Sequence, residues 1–111
     1  QTCALPICMG NASLMAFTRT VGSRSVEHGV RVVAINPPAT RTDRMETLLR
    51  STAEKQFGDP ERWRELTKHM PFGRAAEPDE VADLAVFLAS DRASYISGVV
   101  MTLDGGQAAK H

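Results

Sequence analysis

The sequence is poor in the residues that mark specialised architectures. It contains only two cysteines, Cys3 and Cys8, and none after them. That is not a disulfide framework, and a lone C-x4-C without well-spaced histidines is no zinc site. A reducing, cytoplasmic compartment is the default expectation. Neither sign of charge is in excess, with 13 basic against 13 acidic side chains. A nucleic-acid backbone or an anionic membrane surface is held by clustered Lys and Arg, so neither partner is expected. No stretch reaches the ~18 apolar residues that a spanning helix needs. No G-x-S-x-G occurs, and His28, His69 and His111 share no spacing with a Ser or Cys nucleophile motif. Aromatic residues make up 5%, with a single tryptophan and a single tyrosine. No internal repeat, linker or low-complexity tract interrupts the chain.

What is present is 111 residues that are 42% apolar, the size and composition of about one small domain. Residues 1–8 (QTCALPIC) carry no charge and no clear periodicity. They lack the basic start and longer apolar core of a signal peptide. They read as a foreign or disordered leader, with a short native strand end as the alternative. From Asn11 the pattern becomes regular. Leu14, Phe17, Thr18 and Val21 fall on one helical face, and Ala12, Met15 and Ala16 make a second apolar side. This predicts a helix from Asn11 to about Glu27, stopped by Gly29 in a left-handed conformation. Gly22 inside it costs about 1 kcal/mol relative to Ala and points to close packing or early fraying.

Val30–Ile35 and Gly98–Leu103 are short apolar runs with no alternation, the pattern of strands covered on both faces. Proline lacks the N–H a ladder requires, so Asn36-Pro37-Pro38 ends the first. Between the strands, Met45, Leu48, Leu49 and Thr52 predict one helix. Asp59-Pro60 opens a second, striped by Trp63, Leu66 and Met70 and closed by Pro71. Pro78 opens a third, with Asp79 and Glu80 at its positive end and Val81, Leu84, Ala85 and Leu88 inward. Strands separated by helices pair in parallel through a crossover, the α/β pattern. A two-stranded parallel sheet cannot cover both faces and both edges of its strands. Each wet Val, Ile or Leu forfeits about 1.5–3 kcal/mol, and a whole domain nets only about 5–15 kcal/mol. The expectation is therefore a piece of a larger sheet.

Four segments in this order and spacing carry a resemblance: NASLMAFTR (11–19), HGVRVVAINPPATRTD (28–43), PFGRAAEPDEVADLAVFLASDRASYISG (71–98) and VVMTLDGG (99–106). Together they resemble the C-terminal half of a short-chain dehydrogenase/reductase. The resemblance implies the last two strands of a Rossmann-type doubly wound parallel sheet, with about four helices. Residues 9–111 would form that half of a single oxidoreductase domain, preceded by the leader 1–8. It implies NAD or NADP as cofactor and hydride transfer between nicotinamide and a small alcohol or carbonyl substrate. A homo-oligomer is also implied, with the helix near 11–27 and the strand near 99–103 at subunit contacts. The Gly-rich turn, the residue that chooses between NAD and NADP, and the catalytic serine would lie in the half not present. This piece alone would be inactive.

The loop after the first strand is where the family grips the nicotinamide end, usually as Pro-Gly-x-Val/Ile-x-Thr. Here Pro37, Pro38, Ala39, Thr40, Arg41 and Thr42 occupy those positions. The resemblance implies cofactor contacts from Pro37, Pro38, Thr40 and Thr42. Pro38 replaces the usual Gly, which removes a donor and fixes φ near −65°. Thr40 replaces an apolar residue, a change that a backbone contact would survive. Thr42 alternatively caps the helix that contains Met45. In the family's Tyr-x-x-x-Lys, a lysine lowers the phenol pKa and holds the ribose. Asn11 stands at the lysine position and Ile7 four residues earlier. The chain then uses another arrangement, or is a degenerate, non-catalytic binding or scaffolding subunit, or Asn11 is a helix N-cap. Tyr95, with Val99 four residues on, does not restore the pair and reads as core or interface packing. Trp63 lines a substrate pocket or packs as ordinary core.

Overall fold

In the computed structural model, which describes residues 5–110, three α-helices alternate with two short parallel strands and several 3-10 turns. The chain order is α1 (Leu5–Arg24), β1 (Ala34–Asn36), α2 (Asp43–Phe57), a 3-10 helix (Pro60–Thr67), α3 (Pro78–Ala89) and β2 (Val100–Thr102). The α/β class and the parallel pairing agree with the sequence reading. The chain divides into two compact units, one from the N-terminal side to Asn36 with Ala85–Thr102, the other Pro37–Leu84 with Leu103 onward.

In the first unit α1 already includes Leu5, the first described residue, so residues 5–8 are helical and not a strand end. The remainder of the expected leader, residues 1–4, lies outside the described residues. At its other end the chain tightens into a 3-10 turn (Ser25–His28) and stops at Gly29, whose φ of 71° is the left-handed conformation expected there. Thr18 and Gly22 form the buried side of α1. A Cβ on Gly22 would come within 2.5 Å of the Gly98 backbone and 2.7 Å of the Val32 carbonyl oxygen. Close packing is therefore why glycine stands in mid-helix. The expectation that Leu14 and Phe17 share this inward face is corrected, since they are 64% and 59% exposed. The side that meets the rest of the unit is centred on Thr18 and Gly22, with Met15 and Val21 half-buried.

The strands are shorter than the apolar runs. Ala34, Ile35 and Asn36 pair in register with Val100, Met101 and Thr102. Upstream the ladder continues irregularly through Gly98 N–H to Val32 O (2.8 Å) and Ala34 N–H to Val99 O (3.0 Å). There the Ser97 hydroxyl substitutes for backbone. It accepts from Val32 N–H and donates to Gly22 O, tying strand and helix together at 3.2 and 2.7 Å. Arg31 gathers the end of α3, donating to the carbonyls of Leu88 (2.8 Å) and Ser90 (3.3 Å). These are carbonyls a helix end leaves without partners. The β1 residues are only half-buried, and an open groove lies between Arg31, Val32, Val33 and Ile35 on one side and Ala85, Leu88 and Ala89 on the other.

In the second unit α2 runs from its cap at Thr42 to Gly58. Asp59 accepts from Glu61 N–H and Pro60 follows it, as the sequence predicts, but the helix they open winds as 3-10 and not α. Three residues per turn place Pro60, Trp63 and Leu66 in one row, each buried or half-buried, with Thr67 buried beside it. Trp63, 5% exposed, packs in the same unit as the fully buried Ala53. The Arg50 and Arg64 guanidinium groups lie over its ring at 5.7 and 4.8 Å. Trp63 is therefore core, not the lining of a pocket. Its indole Nε1 is buried with no hydrogen-bond partner among the described residues.

Candidate functional site

The segment Pro37–Thr42 leaves the carboxyl end of β1 and enters α2. In open α/β sheets that end of a strand is where ligands bind. Two prolines at its start remove two backbone donors and restrict the path. What holds the remainder is a single parallel bridge between Thr40 and Ala76. Arg41 N–H donates to Ala76 O at 2.7 Å, and Ala76 N–H donates to Ala39 O at 3.0 Å. The loop is thus pinned by backbone to the stretch that leads into α3.

Side chains finish the pinning. Arg41 presents a fork to Glu77, with Nε 2.9 Å from both carboxylate oxygens and Nη2 2.7 Å from Oε2. That hydrogen bond, seconded by the charge pairing, holds the Glu77 carboxyl below its ordinary range. Glu77 also precedes α3, and its N–H is accepted by Glu80 at 2.8 Å. Glu80 is forked in turn by Arg74 at 2.9 and 3.0 Å. The Arg74 hydrogen bond first, and the Glu77 N–H second, pull the Glu80 carboxyl down to about 2.

The expected contact residues sort by what their polar atoms already do. Thr40 donates its hydroxyl proton to Pro38 O at 2.9 Å, so its side-chain donor serves the loop itself. Pro38 has no N–H to offer. Thr42 is the N-cap of α2, its hydroxyl oxygen accepting from Met45 N–H at 3.2 Å. A cap uses an acceptor lone pair, and the hydroxyl proton stays available to an external acceptor. Thr42 is exposed. Pro37, Pro38, Thr40 and Thr42 therefore stand together on one braced loop, with Thr42 presenting the side-chain donor.

Asn11 belongs to the other unit. It lies inside α1, well beyond the first turn, and is exposed. The N-cap alternative is thereby corrected, because Asn11 has helical neighbours on both sides, from Leu5 through Arg24. Ile7 stands one turn earlier on the same helix, also exposed. Neither side chain carries a titratable proton, so this turn of α1 supplies no acid, base or positive charge. The Arg41–Glu77 and Arg74–Glu80 forks were not anticipated. Their partners are separated by 36 and 6 residues, and the only sequence signal is the acidic start of α3.

Residues 6–108 match the family described as Enoyl-(Acyl carrier protein) reductase. Among curated proteins, Oxidoreductase UcpA of Salmonella typhimurium is 36% identical over 99 residues, 88% of this chain and 36% of the relative. The chain spans about a third of the length of the curated relatives it matches. A structure of a short chain dehydrogenase family protein from Francisella tularensis superposes with a TM-score of 0.82 over 99% of this chain and 46% of that one. At 22% identity that likeness shows the fold. L-Sorbose reductase from Gluconobacter frateurii, solved with NADPH and L-sorbose, is 30% identical with a TM-score of 0.77, covering 90% of this chain and 39% of that one.

Proposed function

This chain belongs to the short-chain dehydrogenase/reductase family, and on that premise we propose that it is the C-terminal part of an NAD(P)-dependent oxidoreductase. The whole protein would move hydride between nicotinamide and an alcohol or carbonyl substrate. The observation that carries the reading is the braced loop Pro37–Thr42, in which the Thr42 hydroxyl keeps its proton while its oxygen caps α2. A neutral donor on a rigid loop suits a carboxamide oxygen or another uncharged acceptor. Pro37, Pro38 and Thr42 would hold the nicotinamide end, Thr40 contributing through backbone. A bound nicotinamide supplies the hydride acceptor or donor. The chain's own part is to orient that ring through a loop whose backbone is fixed before binding, which lowers the ordering cost. The relative solved with NADPH supports this cofactor class. The test is titration of the full-length protein with NADPH and NADH, alongside turnover on a panel of small alcohols and carbonyls. Saturable dinucleotide binding weakened by Thr42→Ala is the expected result, and wild-type affinity in that variant would remove the loop from the site.

A second reading has its own support in α1. Because the helix is continuous through Ile7 and Asn11, the two residues do occupy successive turns of one face, and both lack the chemistry of a phenol–lysine pair. A family member that binds dinucleotide without turning over would have this composition. Dinucleotide binding with no turnover on any substrate of the panel would favour it.

A further inference from the structure

We propose that Arg41 and Glu77 are positioning residues for the loop Pro37–Thr42, a clasp that fixes where the Thr42 hydroxyl is presented. The inference rests on the reading of that loop as the cofactor-contacting one. The loop has little apolar surface of its own to hold it. Pro37 and Ala39 are exposed, and Pro38 and Thr40 only half-buried. Its path is therefore set by polar links to the stretch before α3: two backbone hydrogen bonds to Ala76 and the fork from Arg41 to Glu77.

Glu80 accepts the Glu77 N–H, as the third residue of a capping box does, and leaves the Glu77 carboxylate to reach the loop. Arg74 holds Glu80 in that position, so the two neighbouring carboxylates, Glu77 and Glu80, are each neutralised by a guanidinium of their own. Both forks are partly exposed, and exposed pairs contribute little to stability. Their value here is geometric. A planar guanidinium engaging both carboxylate oxygens fixes direction as well as distance, which a lysine ammonium cannot do.

The test uses the full-length protein with Glu77→Gln and Arg41→Lys. Glu77→Gln keeps an acceptor but loses the charge, and Arg41→Lys keeps the charge but loses the fork. Two quantities are read: hydrogen exchange at the Arg41 and Ala76 amides, and NADPH affinity by fluorescence titration. The clasp predicts faster exchange at those two amides in both variants and a dissociation constant raised roughly two- to fivefold. The Ala34 and Gly98 amides, which belong to the strand pair, should exchange as in the parent. Unchanged exchange at Arg41 and Ala76 would overturn the inference, because the fork would then not hold the loop. Faster exchange with parental affinity would also overturn it, and Thr42→Ala separates the cases. If Thr42→Ala weakens NADPH binding while the clasp variants do not, the cofactor reading stands and the clasp fails. If none of the three weakens binding, the cofactor reading itself falls.

Discussion

At the scale of the residue, Thr42 spends its acceptor on the fold, and the proposed cofactor contact would use its donor. Replacing it with alanine removes the cap, at about 1 kcal/mol of stability, and the donor, at about 0.5–1.5 kcal/mol of binding. Thr42→Ala should therefore melt lower and bind dinucleotide roughly two- to tenfold more weakly, whereas Thr42→Ser should stay near the parent in both. Melting curves and titrations on the same preparations check this. Glu80 gives a second prediction, in pH. Its carboxyl is held at about 2 in the folded chain against an ordinary 4.5. A lowered folded value means that the group's stabilisation is complete above the ordinary value. It drains away as pH falls from there through about 2. The melting-temperature gap between the parent and Glu80→Gln should be widest near neutrality and shrink across that acid window, and a constant gap would contradict it. Position 42 was readable from motif spacing, and Asp59 and Pro78 from ordinary helix-start chemistry. The Arg41–Glu77 fork was not, because periodicity is blind to a pair of charges 36 residues apart.

At the scale of the element, the apolar runs announced the strands and their parallel pairing, but overstated their length. Ser97 and Gly98 explain the difference. A hydroxyl and a left-handed glycine take over where regular ladder would begin, because α1 approaches too closely for side chains. Gly22→Ala tests that approach. Alanine gains helix propensity of about 1 kcal/mol, but its methyl meets backbone that cannot swing aside, and such overpacking costs about 1–3 kcal/mol. Net destabilisation by denaturant titration is expected in the full-length protein, and a more stable variant would show that helix and strand can separate freely. The same helix turns Leu14 and Phe17 outward. Ala12 and Ala16, on a second side, are also exposed, so α1 offers apolar surface that a neighbouring subunit would cover. Light scattering on the full-length protein should report an oligomer, and Phe17→Glu should reduce its mass. The 3-10 winding of Pro60–Thr67 escaped the sequence because an apolar stripe at three- and four-residue spacings fits either helix type.

At the scale of the whole molecule, the described core is thin. Ala53, Trp63, Ala75, Leu88 and Ala93 are its buried apolar residues, and Trp63 is the sole large aromatic among them. Leu5, Met9, Leu14, Phe72 and Val86 are each more than half exposed. Purified as these 111 residues alone, the chain should self-associate and melt without a sharp transition. A monodisperse monomer with cooperative unfolding by circular dichroism would contradict that. The reach of the sequence reading follows from the same balance. Turns, caps and periodicity are local, whereas what covers an apolar face is decided by chain outside these residues. Trp63 also makes the molecule self-reporting. It is the only indole in the sequence, is 5% exposed, and has two guanidinium groups against its ring. Its emission is thus an optical channel tuned to the unit that contains the Pro37–Thr42 loop and silent on the strand pair. Heating followed at once by emission colour and by ellipticity would give each unit its own trace from one cuvette.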